Sequence, residues 1–188
     1  MTRAAELSGP KAKAQVIRDC TVADAPAIAR IYNEHILAGT STMDTEPKTV
    51  EDMIALIQGF NDRETILMLE DDGDILGWGI IKRYSDRIGY RVCCETSVFL
   101  RGDQIRKGYG TRMKLALIDR CKEWGYHHLV AKILTANENS ISYNERLGYE
   151  IVGRQREIGF RDGKWQDVVI MQLILNDVPP YQPESANS

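Results

Sequence analysis

The chain has 188 residues, with 24 Lys and Arg against 27 Asp and Glu, so its formal net charge is −3. With 43% hydrophobic and 27% charged residues, the composition is typical of one soluble globular domain. The weak negative charge argues against a nucleic-acid partner. The longest apolar run without glycine, Met53–Ile57, is far shorter than the roughly 20 residues of a membrane span, so we expect no membrane partner.

Hydrophobic periodicity and turn residues predict the element order βααβββαβαββ. In chain order, the predicted elements are the strand Val16–Asp19, a helix capped by Thr21, a helix capped by Thr49, the strands Thr65–Glu70, Ile75–Tyr84 and Arg91–Leu100, the helix Gly108–Trp124, the strand His128–Leu134, the helix Asn139–Leu147, and the strands Tyr149–Phe160 and Trp165–Leu175. Because hairpins are mixed with strand–helix–strand crossovers, this order predicts a mixed α/β sheet flanked by helices. We expect one domain over residues 15–176, between flexible segments at residues 1–14 and 177–188.

The four cysteines lack the spacing of a zinc site or of a disulfide framework. They are Cys20, Cys93, Cys94 and Cys121. Scattered thiols fit a reducing compartment, so we expect a cytoplasmic protein without a metal. Met1–Pro10 also lacks the apolar segment of a secretory signal.

The strand Arg91–Leu100 carries a candidate general base. Its period of two places Arg91, Cys93, Glu95, Ser97 and Phe99 on one face. The other face, which we expect to be the core face, carries Val92, Cys94, Thr96, Val98 and Leu100. Glu95 is a carboxylate in the middle of this strand, just before a glycine-rich loop, which suits it to remove a proton. The alternative is a glutamate that faces water or pairs with Arg91.

The loop Gln104–Thr111 joins this strand to a helix and has the properties of a phosphate cradle. Its glycines allow a ligand to approach the backbone, and the first helical turn offers unpaired N–H groups. Arg106, Lys107 and Arg112 add local positive charge. The loop lacks the spacing of a Walker loop or a dinucleotide fingerprint. The alternative is an ordinary strand–helix loop with a solvated basic patch.

These residues resemble the GNAT superfamily of acetyl-CoA-dependent N-acyltransferases. Gln104–Thr111 is similar to the pyrophosphate signature of that superfamily, and Asn137–Tyr149 is similar to its second signature, an Asn-x-x-Ser followed by a short helix. Three further stretches narrow the resemblance to the phosphinothricin and methionine sulfoximine N-acetyltransferases. These stretches are Ile31–Glu34 with Ser41–Pro47, Tyr90–Arg91 with Glu95–Leu100, and Gly159–Val169.

The resemblance implies a GNAT-like fold with a largely antiparallel sheet, acetyl-CoA as cosubstrate, a small amino-acid-like amine as acceptor, and a homodimer. It also implies a role for each matching residue. Glu95 matches the general base; Val98, Phe99 and Leu100 match the pantetheine-binding strand; Arg106, Lys107, Gly108, Tyr109, Gly110 and Thr111 match the pyrophosphate loop; Asn137 and Ser140 match the second cofactor signature; and Tyr90, Arg91 and Glu34 fall in acceptor-side motifs.

Two positions depart from the superfamily pattern. Ile105 stands where a Gln or Arg is usual, which removes one side-chain contact to the pyrophosphate. Asn144 stands where many members have a tyrosine acid, and Tyr143 should point about 100° away from it around the helix. The alternatives that stay open are acetylation of another amine (a polyamine, an aminoglycoside or a protein N-terminus) and an acyl-CoA-binding module without turnover.

Overall fold

The computed structural model describes residues 15–179, which form a seven-stranded sheet with helices on both faces. The strands are β1 (Gln15–Asp19), β2 (Thr65–Asp71), β3 (Asp74–Arg83), β4 (Cys93–Leu100), β5 (His128–Leu134), β6 (Glu150–Arg161) and β7 (Lys164–Ile174). The helices are α1 (Ala25–Ala38), α2 (Val50–Gln58), α3 (Tyr109–Glu123) and α4 (Glu138–Arg146). The predicted fold class and element order are confirmed.

The strand order is β1-β2-β3-β4-β5-β7-β6, and β4 and β5 form the parallel pair among antiparallel neighbours. The parallel pair needs a crossover connection, which α3 supplies. β4 and β5 pair only over Cys93–Glu95. Beyond Glu95 the two strands separate, so the sheet has a fork at its centre.

Helices cover both faces of the sheet, and two hydrophobic cores result. The first includes Met113 and Leu117 of α3, and the second includes Ile28 of α1 and Trp78 of β3. The expectation of one core face for β4 is therefore wrong. Phe99, on the face expected to be outside, is 7% exposed because α1 packs over it in the second core.

The predicted helix and strand ends differ from the structure at two informative places. Thr21 and Asp24 form the predicted capping box, but it caps a single 3-10 turn, and α1 begins only at Ala25 with Pro26 in its first turn. The strand predicted from Arg91 begins at Cys93, because Ile88–Tyr90 forms another 3-10 turn.

The packed structure extends slightly beyond the predicted domain end at residue 176. Val178 is 7% exposed in the first core, and Asp177 pairs with Lys122 at 2.7 Å, so these two residues are held on the domain. The predicted segment 1–14 and the rest of the C-terminal segment, from residue 180, lie outside the described residues. Within residues 15–179, no helix is long and apolar enough to cross a membrane.

Candidate active site

The fork exposes one short stretch of β4 backbone. The N–H of Tyr84 donates to the carbonyl of Cys93, so the backbone groups of odd-numbered β4 residues face β3, and those of even-numbered residues face the fork. Two fork-facing carbonyls are already used within the protein. Lys114 Nζ donates to Thr96 O at 3.3 Å, and His35 Nε2 donates to Leu100 O at 2.8 Å. Val98 lies between them and turns its N–H and C=O into the fork.

A cavity of about 730 Å³ occupies the fork, and we call it the fork cavity. Nine of the predicted cofactor residues line it, namely Val98, Phe99, Leu100, Arg106, Gly108, Gly110, Thr111, Asn137 and Ser140. The remaining two face elsewhere. Lys107 Nζ donates to Gln104 Oε1, and the hydroxyl of Tyr109 accepts a hydrogen bond from Gln15. The predicted cofactor set is thus brought together with these two exceptions.

The loop before α3 has the backbone shape of an anion site. Arg106 and Gly108 have φ of 61° and 84°, and Gly108 is the N-cap of α3. Left-handed residues at a helix start let successive N–H groups converge on one point, where the helix dipole adds positive potential. Ile105 also lines the fork cavity. The backbone N–H groups of the loop are therefore placed to bind an anion, although the side chain of Ile105 cannot donate a hydrogen bond to it.

Asn144 of α4 has a buried hydrogen-bond acceptor without a partner at the fork cavity. Its side chain is 2% exposed, and its Nδ2 donates to Ser140 O at 2.8 Å. Its Oδ1 has no hydrogen-bond partner among the described residues. A buried acceptor left unpaired costs about 1–3 kcal/mol. A ligand that brings an N–H group into the fork cavity would satisfy it.

Tyr143 also lines the fork cavity, next to Asn144. Burial raises the pKa of the Tyr143 phenol to about 12, so it stays protonated at neutral pH. Asn137, the predicted cofactor asparagine, caps α4 by accepting the N–H of Ser140 at 3.2 Å. The second signature therefore builds one wall of the fork cavity.

A second cavity of about 1260 Å³ lies on the face of the sheet that carries Glu95, and we call it the sheet cavity. Glu95, the predicted general base, and Tyr90, a predicted acceptor residue, both line it. Glu95 Oε2 lies 2.7 Å from Lys132 Nζ of β5, so its partner is Lys132 and not Arg91, the partner considered from the sequence.

The two cavities meet. Their shared lining residues are Ser41, Ser97, Phe99 and Lys132. A ligand that extends along the fork cavity therefore reaches the side of β4 on which Glu95 lies. This junction would allow a reaction between two bound molecules, because reactants held in the separate cavities would meet beside a carboxylate.

Two predicted acceptor residues, Arg91 and Glu34, do not line the sheet cavity. Arg91 lies in the turn before β4, where its carbonyl accepts a hydrogen bond from Arg63, and it does not line the cavity. Glu34 lines the fork cavity instead, because its carboxylate accepts the N–H of Gly102 at 3.1 Å. The predicted acceptor roles of both residues are therefore not supported by their positions.

The loop between α1 and α2 forms a wall of the sheet cavity and is held by a buried arginine. Arg161, at the end of β6, is 5% exposed and donates to the carbonyls of Thr42 at 2.9 Å, Asp44 at 2.6 Å and Ile36. The hydroxyl of Tyr32 donates to Asp44 Oδ2 at 2.7 Å from the other side. These bonds fix the position of the loop over the cavity.

Three lysines beside the site were missed in the sequence analysis. Lys114 is 1% exposed on α3, and Lys82 and Lys132 line the sheet cavity. Lys114 could have been found, since it lies four residues after Gly110 and three before Leu117, on the buried stripe of α3. Its Nζ donates to Thr96 Oγ1 at 2.7 Å and lies 4.7 Å from the ring centroid of Tyr149.

Burial of Lys114 predicts a pH-dependent stability. Desolvation lowers its pKa from 10.5 to about 8. Between these values the unfolded chain keeps the proton that the folded chain has released, so stability rises with pH across this window and is constant below it. We expect an increment of about 3 kcal/mol. Urea unfolding at pH 7 to 11 should show this increase in the free energy of unfolding for the wild type and not for Lys114→Met. The same dependence of the unfolding free energy on pH in both proteins would contradict the prediction.

The family comparison agrees with this geometry. The model of the acetyltransferase (GNAT) domain matches residues 17–170. The chain therefore belongs to the GNAT family, and it is an acetyl-CoA-dependent N-acetyltransferase. The resemblance stated from the sequence motifs is confirmed at this level.

Individual relatives narrow the comparison. The L-methionine sulfoximine/L-methionine sulfone acetyltransferase of Pseudomonas aeruginosa is 36% identical over 166 residues, covering 85% of this chain and 94% of the relative. The phosphinothricin N-acetyltransferase of Alcaligenes faecalis is 32% identical over 181 residues, covering 95% and 90%. A crystal structure of a GNAT superfamily phosphinothricin acetyltransferase from Sinorhizobium meliloti, in complex with acetyl-CoA, superimposes with a TM-score of 0.82 at 28% identity, covering 92% of this chain and 94% of that one.

Proposed function

We propose that this enzyme transfers the acetyl group of acetyl-CoA to the amino group of a small amino-acid-like acceptor, with acetyl-CoA in the fork cavity and the acceptor in the sheet cavity. The junction of the two cavities beside Glu95 is the observation that carries this proposal. Relatives that act on methionine sulfoximine, methionine sulfone and phosphinothricin support the choice of acceptor class.

The fork cavity offers a match for each part of the cosubstrate. The left-handed loop at Arg106 and Gly108 presents N–H groups to the pyrophosphate, and Val98 offers its backbone to the pantetheine arm. The unpaired Oδ1 of Asn144 can accept an amide N–H of pantetheine. The N–H groups of the loop suit phosphates, and the backbone of Val98 and the unpaired Oδ1 of Asn144 suit amides. Together they fit a ligand that carries both.

Glu95 is the proposed general base. The bound cosubstrate supplies an acyl group activated as a thioester. Glu95 takes a proton from the acceptor ammonium, directly or through one water, and the free amine then forms the new N–C bond as the C–S bond breaks. The N–H of Val98 faces the fork and stabilises the charge that develops on the acyl oxygen. The nitrogen releases its second proton to water as the amide forms, and the departing thiolate takes a proton from water, because the side-chain amide of Asn144 is not an acid.

The lining of the sheet cavity carries charges of both signs, with the lysines Lys48, Lys82 and Lys132 and the carboxylates of Asp44, Asp52 and Glu95. An amino acid, which brings a carboxylate as well as its ammonium group, can pair with both signs, whereas a polyamine can pair only with the carboxylates. The implied homodimer and the cytoplasmic location stay predictions.

An acceptor screen tests the proposed function. Release of coenzyme A from acetyl-CoA is measured with phosphinothricin, methionine sulfoximine, methionine sulfone and spermidine. We expect turnover with the amino acids and little above the acceptor-free rate with spermidine. Turnover with spermidine alone would replace the amino-acid assignment, and binding of acetyl-CoA without turnover on any amine would contradict the function.

A further inference from the structure

One buried cation at the fork cavity has no partner of opposite charge. Lys114 of α3 is 1% exposed and lines this cavity. Among residues 15–179, no carboxylate lies within ion-pair distance of its Nζ. Burying an ammonium group without a counter-charge costs free energy, and this burial lowers the pKa of Lys114 to about 8. The ammonium form still predominates at pH 7, so the wall of the fork cavity carries a positive charge that no carboxylate neutralises.

The polar contacts of this ammonium group use only part of its hydrogen-bonding capacity. Its Nζ donates to Thr96 Oγ1 at 2.7 Å and to Thr96 O at 3.3 Å, and it lies 4.7 Å from the ring centroid of Tyr149. An ammonium group has three N–H groups, so one of them has no acceptor among the residues that the structure describes. An anionic atom of a ligand in the fork cavity would supply both the acceptor and the counter-charge.

The position of Lys114 in the fork matches the reacting end of the proposed cosubstrate. Thr96 is the first residue beyond the paired segment Cys93–Glu95, so Lys114 lies at the closed end of the fork. The loop proposed to bind the pyrophosphate follows the open end, beyond Leu100. A pantetheine arm that runs along the fork therefore brings its sulfur towards Lys114. The carbonyl that Lys114 holds lies about 7 Å along the strand from the N–H of Val98, the proposed partner of the acyl oxygen.

The other titratable groups around Lys114 belong to β4, α3, α4 and the start of β6. They are Cys94, Glu95, Cys121, Tyr143 and Tyr149. Burial raises the pKa of the Cys94 thiol and of the two phenols, so these three groups stay neutral at pH 7. Cys121 Sγ lies 3.5 Å from Cys94 Sγ, and Glu95 pairs with Lys132 on the sheet-cavity side. Lys132, the other cation where the cavities meet, is therefore already paired, whereas Lys114 is not.

We propose that the ammonium group of Lys114 is the counter-charge for the coenzyme A thiolate that leaves during acyl transfer. This inference rests on the proposed function. As the amine forms the N–C bond, the electron pair of the C–S bond passes to the sulfur, and the negative charge develops at the closed end of the fork. Lys114 keeps its proton, and the thiolate takes a proton from water afterwards. Lys114 thus stabilises a leaving group that the neutral side chain of Asn144 cannot protonate.

The thiol of bound coenzyme A gives a direct test. Its ionisation is followed through the ultraviolet absorbance of the thiolate as the pH is raised, with the ligand-free protein as the blank. A cation within about 4–6 Å lowers the pKa of an acidic group by about 1–3. We expect the wild type to lower the pKa of the bound thiol by about this amount from its ordinary value of about 8.5. Lys114→Met should leave the pKa at or above that value, since burial without a cation raises it.

Two further variants separate the charge of Lys114 from its contacts. Lys114→Gln can still donate to Thr96 but has no charge, so its bound thiol should titrate as in Lys114→Met. Both variants should lower kcat by about 10- to 100-fold, since a change of 1 in pKa corresponds to a factor of ten. Lys122→Met is the matched control, because it removes another lysine of α3, one that pairs with Asp177 at 2.7 Å outside both cavities. It should keep the wild-type thiol pKa and kcat.

The outcomes distinguish the inference from the proposed function. The same thiol pKa in the wild type and in the two neutral variants, with coenzyme A bound to each, would overturn the inference and leave the proposed function standing. Wild-type behaviour of Lys114→Gln would show that Lys114 acts by holding Thr96, and it would also overturn the inference. An enzyme that binds coenzyme A but acetylates no amine would contradict the proposed function itself.

Discussion

Replacing Glu95 with Gln should lower kcat by about 10²–10⁴-fold, the range that one general base contributes. Gln has the same shape and can still accept a hydrogen bond from Lys132, which lies 2.7 Å from the carboxylate, so the packing of β4 should not change. What the variant loses is the capacity to take a proton from the acceptor ammonium. The affinity for acetyl-CoA should stay at the wild-type value, since Glu95 lines the sheet cavity and not the fork cavity.

A second strand glutamate gives a close control for this substitution. Glu70 of β2 pairs with Arg18 at 2.8 Å, and its side chain is 28% exposed against 29% for Glu95. Glu70→Gln should keep wild-type turnover while removing a carboxylate from an equivalent ion pair. Steady-state release of coenzyme A and equilibrium binding of acetyl-CoA are measured for both variants. Turnover of Glu95→Gln near the wild-type rate, with the cosubstrate bound, would remove Glu95 from the role of base.

Replacing Val98 with Pro should lower kcat by about 10²–10³-fold, the cost of losing one donor to a developing oxyanion. Proline has no N–H, and the N–H of Val98 faces the fork rather than β3. The substitution therefore takes a donor from the fork cavity without breaking the β3–β4 ladder. KM for acetyl-CoA should also rise, since the same stretch of backbone is the proposed contact of the pantetheine arm.

Two neighbouring substitutions separate the lost donor from a damaged fold. Val98→Ala keeps the N–H and should retain kcat within a few-fold of the wild type. Ser97→Pro removes a group that faces β3, so it should lower the unfolding midpoint much more than Val98→Pro does. A folded Val98→Pro enzyme with more than half of the wild-type kcat would show that the backbone donor is not used.

Local sequence signals were sufficient for most of the fold. Glycines and capping residues bound the helices closely: α3 was predicted as Gly108–Trp124 and runs Tyr109–Glu123. The face of β4 was predicted wrongly because the period of a strand shows which residues share a face but not how many faces are covered. That depends on where α1 packs, and this contact joins residues far apart in the chain.

The two motifs predicted to hold the cofactor could be recognised in the sequence because each is one continuous stretch, and residues of both line the fork cavity. The acceptor side could not, since it is assembled from separate strands. Lys82 and Lys132 become neighbours of Glu95 only through the pairing of β3 and β5 with β4, and each alone is an ordinary strand lysine. Arg91 was assigned to the acceptor side as part of the predicted strand, but it precedes β4 and does not line the sheet cavity.

A crystal structure of the enzyme with coenzyme A and an N-acetylated amino acid product would show directly whether acyl transfer takes place where the two cavities meet. We expect the pantetheine arm to lie in the fork cavity against the backbone of Val98, with its sulfur at the junction beside Ser97 and Lys132. The amide nitrogen of the product should lie on the sheet-cavity side, within reach of Glu95 directly or through one water. Coenzyme A bound outside the fork cavity, or a product whose amide nitrogen lies away from Glu95, would rule out transfer at this junction.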